Sequence, residues 1–177
     1  MRKLTIMAVA VLAAVAATAP RAGAQDDTRK REAALGALLV EKLGEDAATI
    51  RVTLTGNKAI LTGEVEERAV QEIAEEVALF FDGVASVDNQ VTSRHDPKLG
   101  KGLLGNEAGD SELEATVKMR LRAEIGIHAE KIEVEVVAGW VSLRGVAPEK
   151  ARRDIAIATA AGTKGVTKVI DLLRIAK

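Results

Sequence analysis

Three observations predict an α+β fold made twice over. The sequence repeats itself at an offset of 82 positions without a gap: Gly44, Ile50, Val52, Leu61, Gly63, Glu67, Ala69, Ile73, Ala74, Gly83, Val84 and Val87 recur as Gly126, Ile132, Val134, Leu143, Gly145, Glu149, Ala151, Ile155, Ala156, Gly165, Val166 and Val169. Self-similarity at a fixed spacing marks a duplicated structural unit. Within each copy the apolar period switches from helical to alternating and back, which reads as helix, strand, strand, helix, strand. Glycine or another turn former falls at the switches. The expectation is two tandem α-β-β-α-β domains, each a three-stranded mixed sheet packed against two helices. Their bounds are 26–92 and 111–177, after a leader at 1–24 and around a linker at 93–110.

The leader comes first. Arg2 and Lys3 form a basic start, Leu4 to Ala19 is an apolar run of 16 residues, and Ala22-Gly23-Ala24 is a small-x-small cleavage motif before Gln25. That is the pattern of a secretory signal peptide. An uncleaved anchor is the alternative, but 16 residues fall short of the ~20 that span a bilayer.

In the first copy Leu35, Leu38, Leu39 and Leu43 recur at helical spacing and Gly44 follows as a C-cap. Leu113, Val117, Leu121, Ile125 and Gly126 repeat this, with Asp110 or Ser111 to cap the start. Ile50, Val52 and Leu54, or Ile132, Val134 and Val136, then alternate with polar residues as half-buried strands do. Gly56-Asn57 and Ala138-Gly139 turn the chain into a second alternating run through Leu61 and Val65, or Val141, Leu143 and Val146. Gly63 and Gly145 follow that strand, where a side chain is not tolerated. Glu66, Glu67 and Arg68 open a helix with Ile73, Val77 and Phe80 on one face; Pro148 sits at the matching start, where a first-turn proline is favoured. Gly83 and Gly165 terminate these helices, and Val84, Val87 and Val91, or Val166, Val169 and Leu173, form a last strand. A unit of ~65 residues is close to the smallest that carries its own core, so contact between copies or with a partner is expected to contribute.

Composition narrows the function. The chain has no Cys, so neither disulfides nor thiolate chemistry is available. With Arg2, Lys3 and Arg21 removed, 22 basic and 26 acidic residues remain, a net charge of −4. Residues 26 to 92 carry 7 Lys/Arg against 14 Asp/Glu, and residues 111 to 177 carry 12 against 9. The copies therefore present different fields to a partner.

No catalytic constellation emerges. His95 and His128 have no second His or Cys at ligand spacing, so no metal is expected. No Gly-x-Ser-x-Gly, phosphate loop or dinucleotide fingerprint occurs, so neither enzymatic activity nor a cofactor is expected. Adjacent carboxylates such as Glu75 and Glu76 point in different directions on a helix and read as solvated surface. Nucleic acid fits poorly, since the aromatic residues for stacking are missing.

Binding remains. Lys118 and Arg122 share a helix face, and Arg152 and Arg153 open the next helix. They read either as solvated surface relieved by Glu114, Glu124 and Asp154 or as a patch for anionic lipid, where each basic side chain contributes ~1 kcal/mol. Trp140, at a hairpin tip, is either an interfacial anchor or packed across its hairpin. Leu103 and Leu104, in the Gly-rich linker beside Lys98 and Lys101, either dock on a domain or touch a membrane.

The runs VTLTGNKAILTGEV with FDGVASVDNQV, and VEVVAGWVSLRGVA with TKGVTKVIDLL, resemble the BON domain, named for bacterial OsmY and nodulation proteins. Two such domains behind a signal peptide are similar to the OsmY and DolP type. The resemblance implies a periplasmic, Gram-negative, non-catalytic protein that supports envelope integrity or osmotic-stress tolerance, with anionic phospholipid surfaces as favoured partner. Client proteins, or an envelope assembly in which the repeat is a packing module, are the alternatives. The lipidated Cys of the outer-membrane lipoprotein members is absent here.

Overall fold

A computed structural model describes residues 22–94 and 107–176. Most of the predicted leader, and Leu103 and Leu104, lie outside the described residues. The order is α1 (Ala22–Leu43), β1 (Arg51–Thr55), β2 (Lys58–Val65), α2 (Arg68–Phe80), β3 (Ser86–Ser93), α3 (Glu107–Ile125), β4 (Ile132–Val137), β5 (Trp140–Ala147), α4 (Lys150–Ala161) and β6 (Lys168–Ile175), with 3-10 turns at Glu45–Thr49 and Gly126–Lys131. Each repeat is thus α-β-β-α-β. In each sheet a tight hairpin pairs the first two strands antiparallel, and a crossover helix brings the third back parallel to the second, in orders β1-β2-β3 and β4-β5-β6.

Several local expectations shift. Gly63 and Gly145 lie inside β2 and β5, not after them, at φ 145° and 137°. A Cβ on Gly63 would stand 2.7 Å from the Thr49 carbonyl oxygen, and one on Gly145 would overlap that of Lys131. The 3-10 turn before each hairpin crosses the sheet at that point, so the strand must be bare. Gly83 and Gly165 stand in the turns after α2 and α4, beyond the helix ends. Asp110 is not a helix cap, because α3 begins at Glu107; its carboxylate accepts the N–H groups of Ala138 and Gly139 and holds a turn in which both have positive φ. Pro148 lies just outside α4, whose N-cap is Glu149. In repeat 1 the Asp46 carboxylate accepts the N–H of Glu66 and Glu67 there. Repeat 2 has Pro148, which offers no N–H, in place of Glu66 and His128 in place of Asp46.

The layers stack alternately. Leu35, Leu39, Val70, Ala74 and Val77 of α1 and α2 pack with Ala59, Leu61, Val65 and Val91 of the first sheet. Val117, Leu121, Ile125, Ala156 and Ala160 of α3 and α4 pack with Val134, Val136, Val141 and Leu143 of the second. The other face of the second sheet is also covered: Val137, Ile170 and Leu172 join the core of repeat 1. Helices α1 and α2 therefore lie between the two sheets, and the contact expected from the small size of one unit is made here. The reason is legible in the duplication. Where repeat 2 has Val137, Ile170 and Leu172, repeat 1 has Thr55, Asp88 and Gln90, so only the second sheet gains by burying its outer face.

Polar links fix this seam. Lys168 Nζ donates to the Leu43 carbonyl at 2.7 Å, at the end of α1. Arg174 donates to the Phe80 carbonyl at 2.6 Å and to Asp82 at 2.8 Å, and Arg144 meets Glu76 at 3.0 Å. Glu76 is therefore not solvated surface, as its sequence context suggested; its side chain is 17% exposed because the second sheet lies over it.

Candidate functional site

The alternation leaves one helical layer uncovered. Helices α3 and α4 bury one face on the second sheet, and nothing among the described residues covers the other. Ala69 and Ile73 of α2 are fully buried, whereas their counterparts Ala151 and Ile155 on α4 are exposed, Ile155 by 39%. Met119 on α3 is 67% exposed and Ile127, in the turn after it, 74%. Nothing in the sequence singles out Met119, and the repeat match of Ile155 to Ile73 does not carry burial with it.

Helix α3 places Lys118 and Arg122 on its solvent side because Val117, Leu121 and Ile125 take the side facing the sheet. Lys118 pairs with Glu114 one turn away and keeps half its side chain exposed. Arg122 lies 3.3 Å from Glu130 and is 71% exposed. On α4, Arg152 is 3.6 Å from Glu149. Such exposed pairs hold weakly, at ~0–1 kcal/mol, so these side chains stay available. Arg120 is committed, stapling α3 to α4 through the Gly162 carbonyl at 2.7 Å and Thr163.

The other sequence candidates fall elsewhere. Arg153 turns toward the second sheet, where Nε and a terminal nitrogen both bond Asp171. Trp140 packs against the repeat 1 core in the seam, with Lys168 Nζ 3.9 Å from its ring centre. It faces away from the layer that carries Lys118 and Arg122. Desolvation in the seam lowers the proton affinity of Lys168, with Glu67 acting against it. The structure thus brings Lys118, Arg122 and Arg152 to the open layer and withdraws Arg153 and Trp140. No group of acidic or His residues among the described ones is arranged to hold a metal, and no described helix is long and apolar enough to cross a membrane.

The BON domain model matches residues 26–94 and 109–177, one match on each repeat. The chain belongs to the BON domain family. This tandem BON protein is 31% identical over 133 residues to osmotically-inducible protein Y of Escherichia coli, a match spanning 75% of this chain and 65% of that one. It is 29% identical to a protein encoded in the gshII 5′ region of Anaplasma centrale, over 72% of this chain and 82% of that one. It is also 29% identical to a 21 kDa hemolysin of Actinobacillus pleuropneumoniae, over 73% of this chain and 63% of that one. Among solved structures, CdsD, a structural protein of the type III secretion system of Chlamydia trachomatis, aligns at 14% identity over 81% of this chain and 92% of that one, with a TM-score of 0.32. Both BON domains have the same chain topology, and they differ in which faces are left open.

Proposed function

We propose that this tandem BON protein is exported to the periplasm of a Gram-negative cell by cleavage after Ala24, and that it supports the envelope under osmotic stress without catalysis, by weak association with anionic phospholipid surfaces. The observation that carries the reading is the open layer of the second domain, where exposed Met119 and Ile155 stand on the same two helices as Lys118, Arg122 and Arg152. Apolar side chains enter the headgroup boundary while basic ones meet lipid phosphates. Similarity to osmotically-inducible protein Y supports the stress context.

Flotation of the exported protein with vesicles tests this. Binding to phosphatidylglycerol-containing vesicles and not to pure phosphatidylcholine is expected. It is lost when Lys118, Arg122 and Arg152 are changed to Glu, with the circular dichroism spectrum intact. Undiminished binding by that variant refutes the electrostatic part. No vesicle binding together with suppression of client-protein aggregation favours the chaperone-like alternative, for which exposed Met119 and Ile127 are the motivating observation.

A further inference from the structure

The seam between the BON domains gathers carboxylates faster than cations. Glu76 on α2 meets Arg144 on β5 at 3.0 Å, and the same guanidinium also bonds Glu133 on β4. Glu135 lies two residues along β4, hence on the same face of the sheet, half-buried within electrostatic range of Glu76, Glu72 and Arg144.

Other charges facing the cluster offset it little. On α2, Arg68 is paired with Glu72, and Glu75 adds a further negative charge beside Glu76. From α3, Glu114 acts on Glu135 and is itself paired with Lys118. From β6, Lys168 and Arg174 are committed to the Leu43 carbonyl and to Phe80 and Asp82. Arg144 is thus the cation shared among Glu76, Glu133 and Glu135.

Burial first, then repulsion from Glu133 and Glu75, lifts the Glu76 carboxyl above the usual range, against the pull of Arg144. Burial, then Glu76 and Glu72, does the same for Glu135. A carboxyl that holds its proton more tightly when docked than when undocked favours the docked state in acid. That advantage is lost as pH rises from the ordinary glutamate value through the raised one.

We propose that the seam is a proton-sensitive latch, in which the carboxylate cluster around Arg144 holds the two BON domains together in acid and loosens them toward neutral and alkaline pH. Loosening uncovers Ile73 on one side and Val137, Ile170 and Leu172 on the other.

Trp140 is the only tryptophan and sits in the seam, so it reports the opening directly. Acrylamide quenching of Trp140 in the full chain, followed from pH 4.5 to 8.5 at low salt with circular dichroism as a check on folding, should rise roughly twofold or more. The isosteric variant Glu76→Gln/Glu135→Gln should flatten the profile. Glu64→Gln/Glu66→Gln, which alters exposed partners of Arg94 on the first sheet, should leave it unchanged. If the double seam variant does not fold, Glu135→Gln alone should reduce the slope. A flat or falling profile in the native protein overturns the latch, as does a native-like profile in the folded seam variant. None of these outcomes depends on lipid binding.

Discussion

Ile73 and Ile155 make an internal matched pair. They occupy the same position in the repeat, one on α2 and one on α4, but Ile73 lies under the second sheet at 0% exposure and Ile155 stands 39% exposed on the open layer. Truncating a fully buried Ile to Ala removes three carbon groups at ~0.8 kcal/mol each, about 2.4 kcal/mol in transfer alone. At Ile73 the surrounding sheet and helices also leave a cavity worth ~1–2 kcal/mol, for a total of about 3–4 kcal/mol, inside the range for buried Ile→Ala. At Ile155 about three-fifths of the transfer term applies and solvent fills the space, giving ~1.5 kcal/mol. For a chain of this size 1 kcal/mol shifts the melting temperature by ~2–4 °C. Thermal unfolding followed by circular dichroism should therefore show Ile73→Ala losing about 6–16 °C and Ile155→Ala about 3–6 °C. Equal losses, or a larger one at Ile155, would refute the claim that the second sheet is what buries the outer side of α2.

Gly145→Val should lower stability by ~3 kcal/mol or more, because it combines a left-handed φ with overlap on the Lys131 carbonyl; an unchanged melting temperature would show that the turn moves aside freely. Intact mass of the protein recovered from the periplasm should begin at Gln25, and recovery of a chain starting at Met1 in the membrane fraction would revive the anchor reading. Vesicle binding by the native protein should weaken steeply between low and physiological salt, where the Debye length is ~8 Å; binding that survives high salt would assign the contact to Met119 and Ile155 rather than to the basic side chains.

Much of the fold was open to reading residue by residue. Val117, Leu121 and Ile125 announce the buried ridge of α3, and the alternation at Val134 and Val136 the inner face of β4. These patterns survive because each element buries one face against its own unit, and periodicity records that. The candidate site was half legible. Lys118 and Arg122 followed from helical spacing, but Arg153 was drawn off by Asp171 and Trp140 by the seam. Neither partner lies within a few positions in sequence, so spacing carries no trace of them.

What the sequence determined by itself was the repeat unit, its order of elements and the bare points at Gly63 and Gly145, since all of these rest on local periodicity and on steric limits of the backbone. The tertiary structure decided which outer faces are used. A second sheet with Val137, Ile170 and Leu172 outward gains by covering itself, a first sheet with Thr55, Asp88 and Gln90 in those places does not, and α1 and α2 are the helical layer that the second sheet covers. That choice makes Ile73 core and Ile155 surface from the same residue in the same repeat. Burial is a property of the assembled layers, and a residue matched between two repeats carries no record of which layer will cover it.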